Sequence, residues 1–83
     1  MAVIAIKNSE IQKYKYRATG GEIEISPPIN LSIGEVFVYL NGLLLLEGNN
    51  KDYIINKTEN KIIFSAMLSN GDILQIIVIW EVM

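Results

Sequence analysis

The chain contains no cysteine and no histidine. Disulfide bonds are therefore excluded, and the thiolate and imidazole groups that bind zinc and most transition metals are missing. The same absences remove the side chains that most often serve as nucleophile or general base in hydrolytic enzymes. The serines have no evident base beside them in the sequence. We therefore expect a protein that is not an enzyme and that uses no cofactor and no metal.

Long apolar segments and an excess of positive charge are also missing. The longest apolar run covers residues 73–80 and includes Gln75, which is far short of the ~20 apolar residues of a membrane-spanning helix. The first residues are apolar but lack the basic start and the small-residue cleavage site of a signal peptide. A formal charge of −2 gives the whole chain no electrostatic preference for nucleic acid. We expect a soluble protein made in a cytoplasm, with neither a membrane nor a nucleic acid as partner.

The remaining composition favours self-association. A domain of this length buries only about 60% of the surface that its unfolded chain exposes. Hydrophobic residues nevertheless make up 51% of the chain, more than the interior of one small domain can hold. Because disulfides and the usual metals are excluded, oligomerisation is the remaining common source of added stability. The surplus apolar residues are therefore interpreted as an intersubunit surface.

Turn residues divide residues 36–80 into short apolar, strand-like runs. Asn41-Gly42 has the composition of a type I′ hairpin turn, in which both central residues need positive φ. Gly71-Asp72 marks a reversal before the longest apolar run, and Asp52 opens another strand after a polar break. An aspartate in such a position usually binds backbone amides of the turn. We predict that the structural turn residues are Asn41, Gly42, Asp52, Gly71 and Asp72.

Three hairpins follow from this pattern. The first joins residues 11–18 to residues 22–25 through a two-residue Gly20-Gly21 turn. Its register pairs Ala18 with Ile23, Arg17 with Glu24, and Tyr16 with Ile25. We therefore expect Tyr16, Ala18, Ile23 and Ile25 to face the core, with Arg17 and Glu24 paired on the solvent-exposed face. The second hairpin turns at residues 41–42, and the third joins residues 53–55 to residues 62–64. Other segments are interpreted as a connector between two sheets (29–34), a helical turn (66–69) and the last strand (73–82).

The spacing of these hairpins predicts an all-β fold. No segment has a helical period long enough to predict a helix. We expect one β-domain over residues 1–83, a small antiparallel β-sandwich or rolled barrel of about seven short strands built from hairpins. Within it, residues 1–8 are interpreted as an N-terminal arm or edge strand, centred on residues 3–6.

Two of the predicted strands are apolar on both faces. These are residues 36–46 and residues 73–82. A strand of this kind is normally covered on both sides, whereas the core of a single small domain covers one. We therefore predict that the second face meets another copy, through Leu43, Leu44, Leu45, Leu46, Ile77 and Ile79.

The ordered set of turns and strand ends also carries a resemblance. In chain order its elements are Leu40-Asn41-Gly42, Gly48, Asp52-Tyr53, an Ile-x-Phe strand at residues 62–64, and Gly71-Asp72. Over residues 36–78 the chain resembles the small all-β module of bacteriophage virion proteins, of the tail-fibre, head-fibre and capsid-decoration types. The resemblance implies a structural or adhesive role in the virion, with other virion proteins as partners and no catalytic residues. Because modules of this kind are often three-fold, it also favours a homotrimer.

A second class of function stays open from the sequence. Residues 13–17 read Lys-Tyr-Lys-Tyr-Arg, and cations interleaved with aromatics can hold phosphates and stack bases. Strand alternation, however, places these cations and tyrosines on opposite faces. The alternative is a single-stranded nucleic-acid or carbohydrate-binding β-module that uses the Tyr14 and Tyr16 region. A steep salt dependence of oligonucleotide binding would distinguish it from apolar assembly.

Overall fold

The computed structural model describes residues 8–82, with side chains over residues 10–81. Its strands are β1 (Asn8–Arg17), β2 (Glu24–Ile25), β3 (Glu35–Leu40), β4 (Leu43–Leu44), β5 (Tyr53–Asn56), β6 (Lys61–Phe64) and β7 (Ile73–Val82). The described range contains no helix, so the helical turn predicted at residues 66–69 is wrong, and that segment is irregular. The arm predicted at residues 3–6 lies outside the described residues, and Asn8 already belongs to β1. Nothing in the described range is a helix long and apolar enough to cross a membrane.

The strands form two antiparallel sheets. Sheet A has the strand order β1-β7-β3-β4, and sheet B has the order β2-β6-β5. This confirms the all-β class and the number of strands. Because no strand is shared between the sheets, the sandwich-like arrangement is observed and the rolled barrel is not.

The core lies between the sheets and is built around β7. Leu74, Ile76 and Val78 alternate along one face of this strand, and each is 0% exposed. Burying a side chain of this size contributes about 1.5–3 kcal/mol relative to leaving it in water. Residues 29–34 cross from sheet B to sheet A, as predicted, and they insert the fully buried Leu31. The other buried apolar residues are Ala18, Ile25, Val38, Tyr53, Ile62, Phe64 and Leu68.

The second and third hairpins are confirmed. β3 pairs with β4 around the turn at residues 41–42, with Tyr39 opposite Leu44 and Leu40 opposite Leu43. β5 pairs with β6 from Tyr53↔Phe64 to Asn56↔Lys61. In both cases the turn residues and the alternation of the flanking strands fix the register locally.

The first hairpin is wrong. β1 pairs with β7 along its full length, from Asn8↔Val82 to Arg17↔Ile73, whereas β2 pairs with β6. The predicted hairpin offered β1 a partner of only four residues, and β7 offers a ten-residue partner that also carries the core. Residues 18–23 therefore carry the chain from sheet A to sheet B.

The side chains of that hairpin are placed accordingly. Arg17 lies opposite Ile73, and Glu24 lies opposite Ile63 and its carboxylate forms an ion pair with the Lys61 ammonium at 3.1 Å. Ala18 and Ile25 are buried as expected. Ile23 was predicted to face the core, but 54% of it is exposed.

Candidate interaction surfaces

The two tight turns of sheet A lie side by side. The Asn41 side-chain amide donates to Asp72 Oδ1 at 3.0 Å, and Asn41 Oδ1 accepts from the Ile73 amide at 2.9 Å. Asp72 Oδ2 also accepts from the Ser69 amide at 2.8 Å. The bond from Asn41, followed by the bond from Ser69, lowers the pKa of Asp72 below its usual value. The predicted turn residues Asn41 and Asp72 thus bind each other, which their separation in sequence did not indicate.

The remaining predicted turn residues have the conformations and contacts of turn residues. Gly42 and Gly71 have φ of +84° and +89°, a region that L side chains adopt at a cost. Asp52 Oδ2 accepts from the Leu46 amide at 2.8 Å. Asp52 and Asp72 therefore bind backbone amides, as predicted, although these amides precede them in the chain.

Three leucines form an exposed apolar corner at the β4 edge of sheet A. The exposed fractions are 73% for Leu43, 52% for Leu44 and 59% for Leu46. We call these three residues the leucine corner. Leu45 was predicted to belong to the same surface, but it is half-buried and packs against the core. Its amide donates to the Val38 carbonyl at 2.8 Å, and alternation along the hairpin turns its side chain inward with Val38.

Ile77 and Ile79 do not lie in the leucine corner. Both are half-buried on β7, which β3 separates from β4. They face away from the core, on the side opposite to Leu74, Ile76 and Val78. The six residues of the predicted interface are therefore three exposed leucines at one edge, one half-buried leucine that packs against the core, and two half-buried isoleucines on β7.

Met67 is a further exposed apolar residue, and it was missed from the sequence. It is 69% exposed, and with Leu40 and Leu45 it lines a cavity of about 110 Å³. The residue sits in an irregular segment without alternation, so no sequence period indicated which way it would point. The cavity thus joins the end of β3 and Leu45 to the segment before β7.

Comparison with protein-family models, with curated proteins and with solved structures finds no match for this chain. The surfaces themselves are therefore the features that indicate a function. Across the described residues, no cluster of three or more acidic side chains is placed to hold a metal ion.

Tyr14 and Tyr16 lie on the core side of β1. Their rings stack with centroids 6.4 Å apart and an angle of 24° between planes, and both pack against the core. The Tyr16 hydroxyl donates to Glu22 Oε2 at 2.6 Å. That bond raises the pKa of Tyr16 and is the main reason that the pKa of Glu22 falls to about 2. A base or sugar ring would therefore compete with existing packing at these two tyrosines.

The cations of β1 lie on the opposite face, as alternation predicted. Lys13, Lys15 and Arg17 are all exposed. Phe37 and Tyr39 of β3 are half-buried on that same face, and they are functional candidates that the sequence analysis missed. The sequence indicated that β3 is apolar on both faces. It did not give the order of the strands in the sheet, and so did not show that β3 lies near β1.

Proposed function

We propose that this chain is a non-enzymatic structural module that associates with itself through the leucine corner, as a subunit of a bacteriophage virion. The single observation that carries the proposal is the exposure of Leu43, Leu44 and Leu46 at 73%, 52% and 59%. Large exposed apolar side chains grouped at a sheet edge are typical of an interface between chains. The virion setting rests on the resemblance over residues 36–78.

The free energy available at this corner is large for so small a domain. Fully burying one leucine contributes about 1.5–3 kcal/mol, and the exposed fractions of Leu43, Leu44 and Leu46 together correspond to about two leucines per copy. Native domains are stable by only about 5–15 kcal/mol. Self-association therefore stabilises the fold and removes the apolar surface from water in one step.

The position of the corner also limits how copies meet. β4 is the edge strand of sheet A and contains Leu43 and Leu44 alone, so uncontrolled growth by strand pairing has only a short template. Closed homo-oligomers are the rule for soluble assemblies. We assign three-fold symmetry, which the resemblance favours, with the remaining surfaces left for other virion proteins.

The test replaces Leu43 by Asp and compares the variant with Ile23→Asp. Leu43 and Ile23 are exposed apolar residues, 73% and 54% in the single chain, but Ile23 lies outside the corner. Native mass spectrometry should show a trimer for the wild type and for Ile23→Asp, and a folded monomer for Leu43→Asp. Circular dichroism checks that both variants fold. A trimer that survives Leu43→Asp, Leu44→Asp and Leu46→Asp alike would contradict the proposal.

A further inference from the structure

The outer face of sheet A, which is the face turned away from the core, carries three cations in a row. Lys13, Lys15 and Arg17 occupy alternate positions of β1, so neighbouring charges are roughly 6.6 Å apart along the strand. All three are exposed. The ion pairs found within the described residues all use Lys61, and none uses these three cations. Their charge is therefore available to a ligand.

Two aromatic rings share this face with the cations. Across β7, Lys13 lies opposite Ile77, which lies opposite Phe37. One row further, Lys15 lies opposite Gln75, which lies opposite Tyr39. Strands are spaced about 4.8 Å apart, so each ring is roughly two strand spacings from a cation. The face thus consists of a line of positive charge and a parallel line of π surfaces.

The charge on the face differs in sign from that of the whole molecule. The chain carries −2. The three cations, together with Glu35 and Glu81 in the rows beyond Lys13, give this face +1, so the other residues sum to −3. No acidic residue lies in the rows of Lys13, Lys15 or Arg17. Glu35 lies one row beyond, opposite Ile79, at the end of the face away from Arg17. A depression of about 280 Å³ follows β1 and β7 and is lined in part by Lys13, Lys15 and Gln75.

We propose that the outer face of sheet A binds single-stranded nucleic acid, with Lys13, Lys15 and Arg17 at phosphates and with Phe37 and Tyr39 stacked on bases. In a single strand, the regularly spaced phosphates match the row of cations, and the exposed bases match the row of aromatic side chains. A duplex matches it less well, because its bases are stacked on each other and cannot meet the two aromatic rings. Leu43 is on the other face of the sheet, whereas Leu44 lies opposite Tyr39 on this one. Leu43→Asp is therefore the variant that separates this inference from self-association.

The experiment measures fluorescence anisotropy of labelled oligothymidylate and oligouridylate, each of about a dozen nucleotides. Binding should weaken with salt, with a slope of log Kobs against log salt of roughly −2, because each of three phosphate contacts contributes about −0.7. Tighter binding of one oligonucleotide identifies DNA or RNA as the preferred strand. A duplex of the same length should bind more weakly than either.

Variants separate the two parts of the proposal. Lys13→Gln, Lys15→Gln and Arg17→Gln should each reduce the magnitude of the slope by about 0.7, whereas Lys57→Gln, at an exposed loop lysine, should leave it unchanged. Phe37→Leu and Tyr39→Leu keep an apolar side chain but lose the ring, and each should weaken binding about tenfold at an unchanged slope. Leu43→Asp should keep oligonucleotide binding.

Three outcomes would overturn the proposal. The first is the absence of binding at low salt in the wild type. The second is equal binding of an oligoglutamate, which would mean that the face attracts any polyanion and does not stack bases. The third is a change of native mass, without a change in oligonucleotide binding, in the Lys13 and Phe37 variants; the face would then be a contact between copies.

Discussion

Asn60 joins the β5–β6 turn to the connector between the sheets. Its side-chain oxygen accepts from the Leu31 amide at 2.8 Å, and its side-chain nitrogen donates to the carbonyls of Ile29 at 2.9 Å and Pro27 at 3.2 Å. Its φ is +55°, a conformation that asparagine tolerates better than most residues. One side chain thus supplies the partners for three backbone groups next to the fully buried Leu31.

We expect Asn60→Gly to lower the free energy of unfolding by about 2–3 kcal/mol, because each lost hydrogen bond contributes about 1 kcal/mol. Glycine accepts the positive φ, so backbone strain does not contribute. Asn50→Gly is the matched control, since Asn50 has a φ of +62° and is exposed; we expect its change to stay within about 0.5 kcal/mol. Urea unfolding measures both. Equal effects of the two substitutions would refute this role of the Asn60 side chain.

Glu22 provides the clearest pH dependence. Its carboxylate accepts from the Tyr16 hydroxyl at 2.6 Å and from the amides of Thr19 at 2.9 Å and Gly20 at 2.7 Å. These bonds lower its pKa from 4.5 to about 2 in the folded chain. Because the folded pKa lies below the unfolded value, Glu22 stabilises the fold fully above pH 4.5, and this stabilisation is lost as the pH falls towards 2.

We therefore expect the free energy of unfolding to decrease between pH 4.5 and pH 2, with a smaller contribution in the same direction from Asp72, whose pKa is also lowered. Glu22→Gln should remove the Glu22 part of this decrease, so that the curves of variant and wild type converge in acid. Urea unfolding at a series of pH values tests it. Parallel curves for the two proteins would show that Glu22 does not titrate in this way.

At the scale of the elements, the local pairings were predictable and the distant ones were not. The β3–β4 and β5–β6 hairpins follow from turn residues and from alternation within about a dozen residues. The β1–β7 pairing joins Arg17 to Ile73, and nothing in the pattern of either strand specifies the other. The Gly20-Gly21 turn with complementary neighbours was a consistent local solution. β1 instead pairs with β7, which is longer than residues 22–25, and the sequence pattern near β1 does not indicate this distant partner.

For the surfaces too, the face on which a residue lies was predictable within one strand, whereas the neighbours it meets on other strands were not. Alternation placed Lys13, Lys15 and Arg17 on the exposed face of β1, and it marked β3 as apolar on both sides. It could not show that Phe37 lies in the row of Lys13, because that depends on β7 lying between β1 and β3. Leu45 was assigned to the wrong surface and Met67 was missed, because each lies beyond the end of a paired strand.

The start of β3 approaches β7 so closely that it requires glycine. A Cβ at Gly34 would lie 2.2 Å from the Ile79 carbonyl oxygen and 2.8 Å from the Trp80 Cβ. We expect Gly34→Ala to cost about 1–3 kcal/mol, or more if β3 has to move, because overpacking forces the backbone apart. Gly42→Ala is the comparison: its φ is +84° but nothing lies within 4 Å of the added Cβ, so only about 1 kcal/mol of backbone strain is expected.

Thermal or urea unfolding of the two alanine variants tests this ordering. A Gly34→Ala variant as stable as the wild type would show that β3 does not approach β7 as described. A larger cost at Gly42 than at Gly34 would mean that turn strain, and not the packing of these two strands, controls the stability of sheet A.

At the scale of the whole molecule, the two edges of sheet A differ in character. The β4 edge ends in the leucine corner, and the β1 edge carries Lys13, Lys15 and Arg17. Like charges oppose pairing of one β1 strand with another, so the apolar edge is the surface that we propose for contact between copies. A contact of this kind would add to the stability of the fold, since a single domain of this size has a thin margin of stability.

The mass of the unmodified protein in solution tests self-association most directly. Light scattering coupled to size exclusion, over a range of micromolar concentrations, should give three times 9.3 kDa, or about 28 kDa. A mass of about 19 kDa would keep self-association and contradict the three-fold symmetry. A mass that stays at 9.3 kDa at every concentration would contradict self-association itself.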